Sequence, residues 1–224
     1  MNMYKKYIAL MLFILTPLFV CADNTSLLNE INSNDGSKWV IEKNNESYTL
    51  KYINPKGSVY RNNTIITSDI GGSGLFLDKN SSGVISLVMD YPKDVYSFNF
   101  SSNDIPFLLS ACKQITLPSA GEEAVALLTL CSKDLKKISL TLPNIDVNKV
   151  LAPDNLTLKA KVKTVIGSDK SFLYDENKKQ KANKPYFIKG DVIEIQEYKN
   201  LMLKVKYTSK SKSTIAWINF VDVL

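Results

Sequence analysis

Between residues 38 and 100 apolar and polar side chains alternate with a period of two, in short runs cut by turn-forming segments. A strand with one buried face satisfies that period; an amphipathic helix does not. The apolar positions are Trp39 and Ile41 against Lys38 and Glu42, then Tyr48, Leu50 and Tyr52, then the stretches Val59 to Ile66, Val84 to Met89 and Val95 to Phe100. Asn44-Asn45, Asn54-Pro55-Lys56-Gly57, Asp69 to Gly74, Lys79 to Gly83 and Tyr91-Pro92-Lys93-Asp94 separate them, all rich in residues that close turns. The pattern predicts an antiparallel meander, and a content of 45% apolar and 22% charged residues in 224 is that of a globular protein.

Three segments predict helix instead. Thr25 to Ser33 precedes a stop at Asn34-Asp35-Gly36. Ile105 to about Cys112 follows a cap at Ser102 or Asn103, with Pro106 tolerated in the first turn. Ser119-Ala120-Gly121-Glu122 has capping-box spacing, and Ala124, Leu127, Leu128, Cys131 and Leu135 follow at intervals of three and four. Alternation resumes from Ile138 to Leu142 and stops at Pro143-Asn144. The expected fold is mainly β with some α: an α+β antiparallel-sheet domain over 23–143, a linker over 144–156, and a small β-barrel over 157–224 whose first strand alternates Leu158, Ala160, Val162 and Val165 with lysines.

Met1 to Lys6 is basic, Tyr7 to Val20 is apolar except for Thr16 and Pro17, and Cys21-Ala22-Asp23 follows, which reads as a secretory signal peptide over residues 1–22. The apolar run is short for a membrane span, and no second candidate follows, so no integral membrane segment is expected after cleavage. Cleavage after Ala22 places the protein in the periplasm or outside the cell. Cys21 as a lipidated first residue is the alternative, although Val20 stands where a lipobox wants Gly, Ala or Ser. Cys112 and Cys131 are the remaining thiols; in an oxidising compartment they are expected to bridge, the alternative being two buried small apolar residues.

Composition removes several chemistries. The sequence contains no histidine, which excludes Ser-His and Cys-His nucleophile pairs and His-ligated zinc. Loss of Lys5 and Lys6 with the signal takes the net charge from +6 to +4. Arg61 is the sole arginine, so bidentate recognition of phosphates or guanine edges is poorly supplied and no nucleic-acid partner is expected. Glu122-Glu123 reads as helix capping rather than a catalytic carboxylate pair. Gly71-Gly72-Ser73-Gly74 lacks the order of a phosphate loop or hydrolase elbow, and Asp78-Lys79-Asn80 and Asp175-Glu176-Asn177 lack calcium-loop spacing. No catalytic, cofactor or metal residues are therefore assigned, and the chain is not expected to be an enzyme.

Ser171-Phe172-Leu173-Tyr174-Asp175, Tyr186-Phe187-Ile188-Lys189-Gly190-Asp191-Val192-Ile193-Glu194-Ile195, Leu203-Lys204-Val205-Lys206-Tyr207 and Ala216-Trp217-Ile218-Asn219-Phe220-Val221-Asp222-Val223 together resemble the bacterial SH3-like (Src-homology-3-type) domain over about residues 158–224. The strand at Met202-Leu203 lacks the tryptophan usual there, and Ala216 replaces a glycine. Gly190 suits a tight diverging turn, Tyr207 to Ser213 a polar hairpin loop, and Val162, Leu173, Ile188, Val192, Ile195, Val205, Ile215 and Ile218 a filled barrel. The resemblance implies binding rather than catalysis. Tyr174, Asp175, Tyr186, Trp217 and Phe220 are the expected groove residues, and Lys178, Lys179 and Lys181, in the densest charge run, would meet an anionic partner or form a solvated loop. The partner expected is a protein or peptidoglycan in the cell envelope. The competing reading is an immunity protein or inhibitor that blocks a secreted toxin or cell-wall hydrolase.

Overall fold

The alternating stretches pair as strands because each can bury one face only against another sheet. In the computed structural model the described residues are 25–45, 47–70, 74–119, 125–133, 135, 140–209 and 212–224. The signal segment with Cys21, Gly71–Ser73, Glu122-Glu123 and the first two residues of the strand expected over 138–142 lie outside them; of the remainder, Thr141 makes one bridge to Phe107 and Leu142 opens a 3-10 turn, so no strand forms over 140–142.

Strands β1 (Thr25–Asn32), β2 (Lys38–Asn44), β3 (Ser47–Ile53) and β4 (Val59–Asn62) form a four-stranded antiparallel sheet in chain order. A second, six-stranded sheet also runs in chain order: β5 (Leu75–Lys79), β6 (Ile85–Asp90), β7 (Asp94–Phe100), β8 (Leu108–Pro118), β9 (Val125–Ser132) and β10 (Leu156–Leu158). Trp39 sits opposite Tyr52 and Ile41 opposite Leu50 on the first sheet, while Leu77, Leu87, Phe98 and Ala111 form one row across the second. All eight side chains are buried in one core. The Trp39 ring lies 4.8 Å from Tyr52 and 4.9 Å from Phe100.

Most of the described residues in the three segments expected as helices are strand; Leu135, which ends the third, is helical. β1 pairs with β2 along its length and leaves Leu27 and Leu28 exposed, so no helical apolar stripe is buried there. β8 and β9 pair with each other, Cys112 facing Cys131. In β9 the operative pattern is the alternation of Leu128 and Leu130, both buried, with Val125 and Leu127, both exposed; the spacing of three and four was incidental. Apart from Leu135, the α-helical residues among those described form one turn, α1 (Val147–Val150), capped by the Asp146 carboxylate, which accepts from the Asn148 amide at 3.1 Å. Its segment is packed, since Ile145, Val147 and Val150 lie in the first core. Asn62 holds it there: its amide donates to the carbonyls of Leu142 (2.8 Å) and Ile145 (2.9 Å), and its oxygen accepts from the Thr64 and Ile65 amides.

The C-terminal region contains β11 (Val162–Val165), β12 (Lys170–Phe172), β13 (Tyr186–Ile188), β14 (Val192–Lys199), β15 (Met202–Ser209) and β16 (Lys212–Asn219), followed by a 3-10 turn at Phe220–Val223. The sheet order is β11-β14-β15-β16, with β12 and β13 as a separate pair, and no sheet closes into a barrel. Leu173, Ile195, Val205 and Ile218 are buried as expected, but Ile188, Val192 and Ile215 are about half exposed. Phe187 and Ile193 point inward in place of the first two. The turn between them sets that phase: Gly190 has φ +88°, and the Asp191 carboxylate accepts from the Ile188 amide at 2.9 Å. A shift of one residue exchanges the faces of a strand. The β15–β16 ladder also continues to Ser209 opposite Lys212, so the expected Tyr207–Ser213 loop is mostly strand.

Ile115 and Leu117 of β8, Leu128 and Leu130 of β9 and Leu156 of β10 belong to the C-terminal core, with Ile193, Ile195, Leu203, Val205 and Ile218. Leu108 and Ala111, earlier on β8, belong to the first. One hairpin therefore serves two cores. At its end the Thr164 hydroxyl donates to the Pro118 carbonyl at 2.7 Å.

Candidate functional site

The loop after β12 is assembled by Asp175. Its carboxylate accepts from the amides of Asn177 (2.8 Å) and Lys179 (3.0 Å), and its carbonyl accepts from the Lys178 amide at 3.0 Å. The resulting turn places Lys178 at φ +62°, a conformation that costs a residue with a Cβ on the order of 1 kcal/mol. Tyr174 exchanges two main-chain hydrogen bonds with Trp217, which docks the loop across β16.

These constraints carry Lys178 onto the face of the Trp217 ring, a cation–π arrangement. Trp217 is 3% exposed. The Lys178 amine is buried and has no hydrogen-bond acceptor among the described residues. Desolvation brings its pKa down from 10.5 to about 8, against the opposing pull of Glu197 and Glu176. Glu176 completes the cluster. Its carboxylate accepts from the Trp217 indole at 3.0 Å and meets the Lys204 ammonium at 2.9 Å, and both contacts hold it below the ordinary carboxylate range. The cluster is thus a buried indole with a cation over its face and an ion-paired carboxylate at its edge, interactions that brace the loop and leave Lys179 exposed beside it.

Of the residues expected at a groove, Tyr174, Asp175, Lys178 and Trp217 come together. Lys181 reaches the Ile215 carbonyl at 3.4 Å, and Lys179 is exposed. Tyr186 stands apart, edge-on to Phe172 at 6.0 Å and beneath the Lys170 ammonium at 4.9 Å. Phe220 packs edge-on to Tyr198 at 5.9 Å, against the C-terminal core. Sequence reasoning missed Glu176, Lys204 and Asn219, whose amide donates to the Tyr174 hydroxyl at 3.4 Å. Lys204 could have been found from the hairpin register, which sets it opposite Trp217.

The Cys112 and Cys131 sulfurs lie at bonding distance across the β8–β9 ladder, with Cα atoms 4.0 Å apart. A separate cleft of about 740 Å³ opens beside α1, lined in part by Tyr91, Asp94, Tyr96, Lys113 and Leu151. No helix among the described residues is long and apolar enough to cross a membrane. Comparison with family models, with curated proteins and with solved structures finds no match for this chain.

Proposed function

We propose that this chain is an exported, non-catalytic binding protein in which residues 157–224 form an SH3-like module that contacts a protein partner or peptidoglycan in the cell envelope. A domain over 23–143 supports it, joined through 144–156. The observation that carries this reading is the 174–181 loop, folded over an aromatic floor and presenting lysines to solvent at the position where the resemblance puts a groove. The strand order adds support. A first strand, a separate arm pair and a three-stranded meander lead to a closing 3-10 turn, and the Asp222 carbonyl there accepts from the amides of Gly167 and Ser168.

Retention of the mature protein on purified peptidoglycan sacculi, compared with Lys179→Glu/Lys181→Glu, tests the reading, with Tyr186→Ala, which lies apart from the loop, as a surface control. All three side chains are on the surface, so the variants should fold. Binding that falls at least fivefold in the lysine variant and stays near wild type in the control supports it. If the protein neither sediments with sacculi nor crosslinks to an envelope protein, the reading is wrong. An inhibitor of a secreted toxin or cell-wall hydrolase would instead protect cells against that enzyme while ignoring sacculi.

A further inference from the structure

One row of the six-stranded sheet runs Leu75, Met89, Tyr96, Lys113, Leu130, Leu158, each opposite the next in register. It lies on the inward face: Met89 belongs to the first core, Leu130 to the second. Lys113 is the one charge in it, at the seam between the cores. A charge in an apolar row is a local inconsistency that stable folds avoid unless it serves a function. The Lys113 ammonium pairs with the Asp94 carboxylate at 2.8 Å, both side chains about a quarter exposed, and lies 5.2 Å from the Tyr96 ring centre. A partly exposed ion pair contributes little to stability compared with the apolar contact that the row would otherwise make.

The cleft above the row gives the pair a use. Its volume of about 740 Å³ falls within the range of about 300–1,000 Å³ found for small-ligand sites. Along it runs a chain of contacts from the Asp69 carboxylate to the Lys113–Asp94 ion pair, with Lys93 also in the lining. At one end the exposed Asp69 carboxylate accepts from the Tyr91 hydroxyl at 3.3 Å. Tyr91 meets Tyr96 edge-on at 5.6 Å, and Tyr96 leads to Lys113. Val147 and Leu151 form the apolar wall opposite. Hydrogen bonds from Thr67 and Tyr91 keep Asp69 ionised below the ordinary carboxylate range, and the Asp94 and Tyr96 contacts outweigh burial in keeping Lys113 charged.

We propose that this seam is a binding site for a short zwitterionic peptide, whose ammonium meets Asp69, whose carboxylate shares Lys113 with Asp94, and whose middle lies between Tyr91, Tyr96 and the α1 wall. None of these residues lies in the 157–224 region, so the site would be a second one, independent of the groove proposed above.

Calorimetric titration of the mature protein with trialanine, its N-acetyl form and its C-terminal amide tests the assignment. The free peptide should bind, and capping either end should weaken it at least tenfold. Lys113→Gln should weaken the free peptide as much but leave the amide unchanged; Asp69→Asn should do the same with the acetyl form. All-D and all-L series identify the source: tighter binding of the D series indicates a wall-derived peptide, tighter binding of the L series a protein end. No heat at millimolar peptide, or equal affinity for free and doubly capped peptide, overturns the proposal. If Lys113→Gln fails to melt cooperatively, the exposed Asp69→Asn carries the test alone: unchanged affinity for the free peptide then refutes it.

Discussion

Leu128→Ala tests whether the two cores are mechanically one. Leu128 hangs from a strand of the six-stranded sheet, yet its fully buried side chain belongs to the C-terminal core. Truncating such a leucine removes its transfer free energy and leaves a cavity, a loss of about 3 kcal/mol within the usual range of roughly 2–5. Because β9 also pairs with β8, whose Leu108 and Ala111 sit in the first core, the loss should be felt on both sides. The chain has two tryptophans, Trp39 in the first core and Trp217 on β16. Urea unfolding of Trp39→Phe and Trp217→Phe forms therefore reads each region separately. With a slope of about 2–3 kcal/mol per molar urea, Leu128→Ala should lower both midpoints by about 1 M, each measured against its own single-tryptophan parent. A shift confined to the Trp217 signal would refute the coupling and make the C-terminal region an independent unit.

Further outcomes are expected. Reducing the Cys112–Cys131 pair, or replacing both by serine, should cost about 3 kcal/mol by freeing a loop of roughly 20 residues in the unfolded chain, read as a lower urea midpoint in dithiothreitol. Lys178→Met should raise stability at pH 7, on the order of 1 kcal/mol after allowing for solvent screening. The folded pKa of about 8 lies below the ordinary 10.5, so the native state sheds its proton first and the wild-type deficit shrinks as pH rises from 8 to 10.5. Thermal melts of both proteins at pH 7 and pH 10.5 check this, and a variant that is less stable at pH 7 contradicts it. Asn62→Ala strands the carbonyls of Leu142 and Ile145 and the amides of Thr64 and Ile65; a loss of about 2–3 kcal/mol and faster amide exchange at Thr64 and Ile65 are expected.

The candidate site was partly legible before the fold was known. Tyr174, Asp175 and Trp217 were expected there from the resemblance and Lys178 from the densest lysine run, and the loop brings them together. Glu176 and Lys204 were not, because only the β15–β16 register sets Lys204 opposite Trp217 and so delivers it to Glu176. The cleft at Lys113 was invisible for a related reason. In sequence Lys113 is one lysine among many, and its setting appears only once Met89 and Leu130 are aligned beside it.

Local alternation was enough to establish that the chain is built mainly of antiparallel strands, and Asn54 to Gly57 and Lys189 to Asp191 carry their turns in their own chemistry. Tertiary pairing decided the rest. Thr25–Asn32, Leu108–Pro118 and Val125–Ser132 have spacings that a helix could also use; they became strands because neighbouring strands offered hydrogen bonds and, for the last two, a buried face, whereas Thr25–Asn32 stays largely exposed. Which face Ile188, Val192 and Ile215 present, and which core Leu128 fills, depends on contacts between residues far apart in the chain. Period is a property of a segment, whereas phase and partner belong to the assembled molecule.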